Sequence, residues 1–163
     1  MTEHRGFLVF LERTPYWKDF LVTALHNMNE PSFSMPKILS ITAFDDAADL
    51  FRQAPGSLLI AEIVPAELPQ LISGVVRLKN HHHRARFAAY APELMKMSPL
   101  EYDQTKELLF QAGFLAVITS FEELLLLRKS IIRHFEPLSG PKHDAEQTEA
   151  NRIWNSLPWS ENM

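Results

Sequence analysis

The most diagnostic stretch of the chain is Ser57-Leu-Leu-Ile-Ala-Glu-Ile-Val-Pro65. From Leu58 to Val64 it is apolar without alternation apart from Glu62, as expected of a strand covered on both faces rather than on one. Pro55-Gly56 precedes the run and Pro65 ends it, so it is too short for a buried helix. Strands buried on both sides belong to parallel sheets, whose crossover connections place helices above and below.

Working outward, Phe7-Leu-Val-Phe-Leu11 is a second continuous apolar run. Thr14-Pro15 reads as N-cap and first helical position, followed on one helix face by Tyr16, Phe20, Leu21, Ala24 and Leu25. Pro31 and Pro36 break the chain before a strand over 37–42, and a short helix runs over about 45–53. Asp45 and Asp46 open that helix, where negative charge complements the macrodipole. Leu68, Leu71, Ile72, Val75, Val76 and Leu78 mark a third helix, and 86–91 a fourth strand. Ser98-Pro-Leu-Glu101 and Ser120-Phe-Glu-Glu123 are capping boxes. The first opens a helix ending at Ala112-Gly113, and the second a helix to about Phe135, with a strand over 115–119 between them. The order is (βα)5, an α/β fold with a doubly wound, five-stranded parallel sheet. Residues 1–135 form the domain, 136–150 a polar linker, and 151–163 a C-terminal extension carrying two of the three tryptophans.

Composition removes several function classes. The chain has 163 residues, 46% hydrophobic and 22% charged, with a net charge of −4, which does not invite nucleic acid non-specifically. With no cysteine there is no disulfide, thiolate zinc site or cysteine nucleophile. No stretch approaches the roughly 18 apolar residues of a membrane span, and the first residues lack a signal-peptide pattern; a cytoplasmic location is expected. Five glycines and no glycine-rich loop argue against nucleotide cradles, and no Gly-x-Ser-x-Gly nucleophile motif occurs.

Four local matches over residues 6–135 carry a resemblance. Leu8-Val-Phe-Leu-Glu-Arg-Thr-Pro15 resembles an apolar strand followed by two acidic residues, one further residue and proline. The run ending at Pro65 resembles an apolar strand ending Asp-x-x-x-Pro. Phe87-Ala-Ala-Tyr-Ala91 is similar to a strand ending Thr-Ala or Ser-Ala. Ala112-Gly-Phe-Leu-Ala-Val-Ile-Thr-Ser120 resembles Ala-Gly-Ala-x-x-Tyr-Leu-x-Lys. In this order they resemble the receiver domain of response regulators, a flavodoxin-like, CheY-like fold.

The resemblance implies a phosphorylation cleft, and the departures fall on it. The magnesium-binding acidic pair corresponds to Glu12 and Arg13, the acceptor aspartate to Ala61, the switching Thr or Ser to Tyr90, and the lysine to Ser120. A lone carboxylate beside Arg13, facing a methyl group, is a poor magnesium site, so no metal or cofactor and no enzymatic activity are expected. Glu62 is the alternative acceptor or a fixed mimic of the charged state. One residue along a strand reverses the side chain, however, so Glu62 is expected to leave the cleft and lie partly solvated. Arg13 is expected to pair with Glu12 or Glu62.

His81-His82-His83 reads as a solvated loop, since adjacent helical residues point about 100° apart and do not converge on one metal. Arg77, Lys79, Arg84 and Arg86 read as a solvated helix end. In the last helix Phe121, Leu124, Leu125, Leu127, Ile131, Ile132 and Phe135 span an apolar arc of about 160°, wider than one sheet face needs. Leu126 lies outside the arc and Arg128 within it, which calls for a partner carboxylate or a snorkelling side chain. Leu125, Leu126, Arg128 and Ile132, with Trp154, Leu157 and Trp159 of the extension, are the candidate contact residues for a protein partner or a second copy. The expected function is a pseudo-receiver that signals through protein contacts without phosphorylation, binding neither nucleic acid nor membrane. The alternative is a small-molecule sensor using space left by Ala61, Ala88, Ala89 and Ala91 at the C-terminal strand ends.

Overall fold

The computed structural model describes residues 6–28 and 33–135. Five parallel strands, β1 (Phe7–Leu11), β2 (Lys37–Ile41), β3 (Leu58–Glu62), β4 (Arg86–Tyr90) and β5 (Phe114–Ile118), form one sheet in the order β2-β1-β3-β4-β5. The helices are α1 (Trp17–His26), α2 (Asp46–Gln53), α3 (Leu68–His81), α4 (Pro99–Ala112) and α5 (Phe121–Phe135). Among the described residues this is the expected doubly wound (βα)5 architecture. Two short 3-10 turns not anticipated from the sequence, Pro65–Glu67 and Pro92–Lys96, lead into α3 and precede α4. The linker 136–150 and the extension 151–163 lie outside the described residues, as does Pro31.

Every residue of β1 and β3 is buried, because helices cover both faces. Val9, Leu11, Leu59 and Ala61 pack with Phe51, Leu71, Val75 and Leu109 of α2, α3 and α4. Leu8, Phe10, Leu58 and Ile60 pack with Trp17, Leu21, Leu124 and Ile131 of α1 and α5. The pleat thus sends Ala61 and its neighbours to opposite layers. Gly6 leads into β1 at φ +106°, and a Cβ there would lie 2.5 Å from the Gly56 carbonyl, so only glycine fits.

Both capping boxes form their first half. Ser98 Oγ accepts from Glu101 N at 3.3 Å, and Ser120 Oγ from Glu123 N at 3.2 Å. Glu123 reaches back one residue beyond its cap, its Oε1 accepting from Thr119 N and Oγ1 at 2.8 Å each. The α1 start needs correction. The helix begins at Trp17, and its N-cap is Tyr16 at φ 86° rather than Thr14. Tyr16, at φ 86°, interrupts the helical path between Thr14-Pro15 and Trp17, and Thr14 gives its N–H and hydroxyl proton to Glu62 instead.

His134, one residue from the end of α5, donates from Nε2 to Gly56 O at 2.7 Å and so ties α5 to the turn before β3. Burial drives its pKa down to about 4; the bond to Gly56 opposes this and the charge of Arg86 adds to it. The unfolded chain therefore takes up this proton first. Stability from His134 is complete above about pH 6.5 and is lost as pH falls toward 4. Since the ring is partly exposed, the expected loss is about 1–2 kcal/mol. Denaturant titrations at pH 7 and pH 4.5 should show it in the native chain and not in His134→Gln, which retains a donor for Gly56. Equal pH slopes for both proteins would refute it.

Candidate functional site

The C-terminal ends of β1 and β3 lie side by side, Leu11 in register with Ala61, and Glu62 opposite Tyr90 of β4. The site residues picked out on β1, β3 and β4 and in the β1–α1 loop converge here. Ala61 is fully buried in the layer of α2, α3 and α4. Glu62 points into the other layer, as a one-residue step along a strand requires. It is not solvated there, contrary to expectation: its exposure is 5%.

Four donors hold its carboxylate. Glu62 Oε1 accepts from Arg13 N at 2.7 Å, Thr14 N at 2.8 Å and Trp17 Nε1 at 2.8 Å, while Oε2 accepts from Thr14 Oγ1 at 2.8 Å. Burying a carboxylate is tolerable only with this degree of compensation. The consequence is mechanical: Glu62 pins the β1–α1 loop to the end of β3 and holds Tyr16 in the left-handed region, its side chain 74% exposed.

The Arg13 guanidinium pairs with neither expected partner. Nε lies 3.2 Å from Glu67 Oε1 and Nη1 donates to Thr42 O at 2.7 Å, so the arginine clamps the β2–α2 and β3–α3 connections. Glu12 is turned to α1, its Oε2 accepting from Lys18 N at 3.2 Å. Tyr90 packs its ring 4.9 Å from Trp17 and 6.2 Å from Phe121. Burial, and secondarily the charge of Glu62, raise its hydroxyl pKa. Ser120 is occupied as the α5 cap. The described residues include no group of three or more His, Asp or Glu side chains placed to hold one metal ion.

A cleft of about 300 Å³ opens beside this cluster, lined by Leu11, Arg13, Phe44, Asp45, Glu62 and Glu67 among others. Ala61, Ala88, Ala89 and Ala91 do not line it; each is fully buried, because neighbouring side chains close over the small residues.

These strand ends and the sheet order can be set against known structures. A CheY-like protein, tadZ, from Pseudomonas aeruginosa PAO1 is 17% identical, with a TM-score of 0.56 covering 83% of this chain and 97% of that one. This chain has a CheY-like receiver fold. No family model and no curated protein matches it. The sequence did not single out Trp17 and Glu67 or the role of Thr14, yet Thr14 and Trp17 hold Glu62, and Glu67 holds Arg13. A buried tryptophan needs an acceptor for its indole N–H, the one sequence signal that linked Trp17 to a carboxylate.

Within the receiver fold, α5 accounts for much of its own apolar surplus. Phe20 of α1 stacks on Phe121 at 4.8 Å. Ile132, expected to meet a partner, is buried in the domain's own core, since it turns with Ile131 toward α1 and the sheet. Arg128 Nε donates to Leu125 O at 3.0 Å, so no partner carboxylate is required. Leu126 remains 48% exposed and Leu125 half-buried. Trp154, Leu157 and Trp159 lie outside the described residues. No helix of the described residues is long and apolar enough to cross a membrane.

Proposed function

We propose that this chain is a pseudo-receiver, a signalling domain that acts through protein contacts and takes no phosphoryl group on β3. The observation that carries this is the state of Glu62, the carboxylate nearest the expected acceptor position. Its oxygens already accept four hydrogen bonds, and the residue before it offers a methyl group. An attacking carboxylate needs a free lone pair and a cation to screen the incoming charge. Three donors occupy Glu62 Oε1 and the Thr14 hydroxyl holds Oε2, so attack by this carboxylate would break bonds that fix the β1–α1 loop and Trp17, and Glu12 is turned to Lys18 N. The domain is then neither enzyme nor nucleic-acid binder, and a cytoplasmic location belongs to the same reading.

In this reading the contact surface for a protein partner or second copy is α5 with the β5 edge, a choice supported by the exposure of Phe121 and Leu126. Incubation with acetyl phosphate and magnesium, followed by intact-mass analysis, is expected to leave the mass unchanged. A stoichiometric phosphate adduct on β3 would overturn the reading.

A further inference from the structure

A second groove runs between α2 and α3, on the face opposite α5. It encloses about 290 Å³ between Phe44, Asp45, Ala48, Arg52, Gly74, Arg77, Leu78, His81 and His82. Its floor is apolar: Phe44 lies over Gly74 so closely that a Cβ there would sit 2.7 Å from the ring. Its lower end is basic. From Arg77 to Arg86 the chain carries Arg77, Lys79, Arg84, Arg86 and three histidines, with no acidic residue. Arg77 lines the groove and, like Lys79 and Arg84, takes part in no ion pair among the described residues.

The chain leaves the domain beside this end. Phe135 closes α5 next to His134, whose ring nitrogen is bonded to Gly56 O, three residues past the end of α2. Residues 136–163 carry Glu136, Asp144, Glu146, Glu149 and Glu161 against Lys142 and Arg152, a net charge of −3. They also carry Ile153, Trp154, Leu157 and Trp159.

We propose that the C-terminal segment 151–163 docks in the α2–α3 groove of its own chain, its tryptophans on Phe44, Gly74 and Leu78 and the acidic linker along the basic end. Reach is sufficient. A random coil of 18 residues, the number from 136 to 153, has a root-mean-square span of about 25 Å, and α3, with 14 residues, is about 21 Å long. A linker of this length holds the segment at an effective concentration on the order of millimolar. An intrinsic Kd of about 0.1 mM then keeps it bound about ten times out of eleven. The inference stands whether or not β3 takes phosphate, and it leaves α5 and β5 for a partner.

Hydrogen exchange on the full chain tests it, comparing the native protein with Ala48→Glu and with the Arg52→Glu/Arg77→Glu pair. Both variants alter exposed groove residues. Amides of 151–163 and of α2 and α3 are expected to exchange about tenfold more slowly in the native chain than in either variant, independently of protein concentration. Unchanged α1 and α5 exchange verifies that the variants fold. Unprotected tail amides in the native chain, protection surviving both variants, or protection that grows with concentration (a second copy as host) would each overturn it.

Discussion

Glu62→Ala is expected to destabilise the domain by about 3–5 kcal/mol, a large share of the roughly 5–15 kcal/mol that holds a domain folded. The loss is larger than for a surface acid because four donors lose their acceptor together. Each bond to a charged acceptor contributes about 1.5–3 kcal/mol net. They do not simply add, since water can rehydrate the part-buried Arg13 and Thr14 amides. The Trp17 indole N–H, in a residue 1% exposed, has no such recourse. Glu62→Gln separates charge from geometry. Its carbonyl oxygen can take the place of Oε1, and the Thr14 hydroxyl can turn to accept from the new amide, so about 1–2 kcal/mol is expected. Denaturant unfolding measures both. A loss below 1 kcal/mol for Glu62→Ala would mean the carboxylate does not pin the loop.

Trp17→Ala should lose about as much, about 3–5 kcal/mol, for a different reason. The indole fills the junction of α1, β1 and β4, 5.6 Å from Phe10 in edge-to-face geometry and 4.9 Å from Tyr90. Truncation leaves a cavity that the rigid strands cannot close. Trp17→Phe keeps most of the ring and deletes the Nε1–H, so it should lose about 1–2 kcal/mol. Because that N–H donates to Glu62, the cycle of Trp17→Phe and Glu62→Gln should show coupling of about 0.5–1 kcal/mol. Far-ultraviolet circular dichroism follows unfolding in every variant without relying on the deleted fluorophore. Strict additivity would show that the two side chains act separately.

These expectations bear on function through the loop they fix. In a switching receiver the β1–α1 loop borders the reaction site. Here an internal anion holds it in one arrangement, and Arg13, joined to Glu67 and Thr42 O, braces two adjoining connections. A site so cross-linked fits the pseudo-receiver proposed above, which would present a constant surface.

Elements whose causes are local are legible in the chain alone. Uninterrupted apolar runs marked β1 and β3 as strands buried on both faces. Ser98 and Ser120 marked helix starts, and Gly113, at φ 124°, a helix end. The methyl group at Ala61 and the opposite facing of Glu62 followed from the period-two geometry of a strand. What those side chains meet depends on how the sheet and helices assemble. Thr14-Pro15 has the local features of a helix start, yet Thr14 gives its N–H and hydroxyl proton to Glu62, 48 residues further on, and the helix starts at Trp17. Arg13 finds Glu67 across 54 residues, and Ile132 turns inward. Caps and periods act over one or two turns, where spacing in the chain is spacing in space. The partner of a buried charge is set by which strand ends the sheet order brings together.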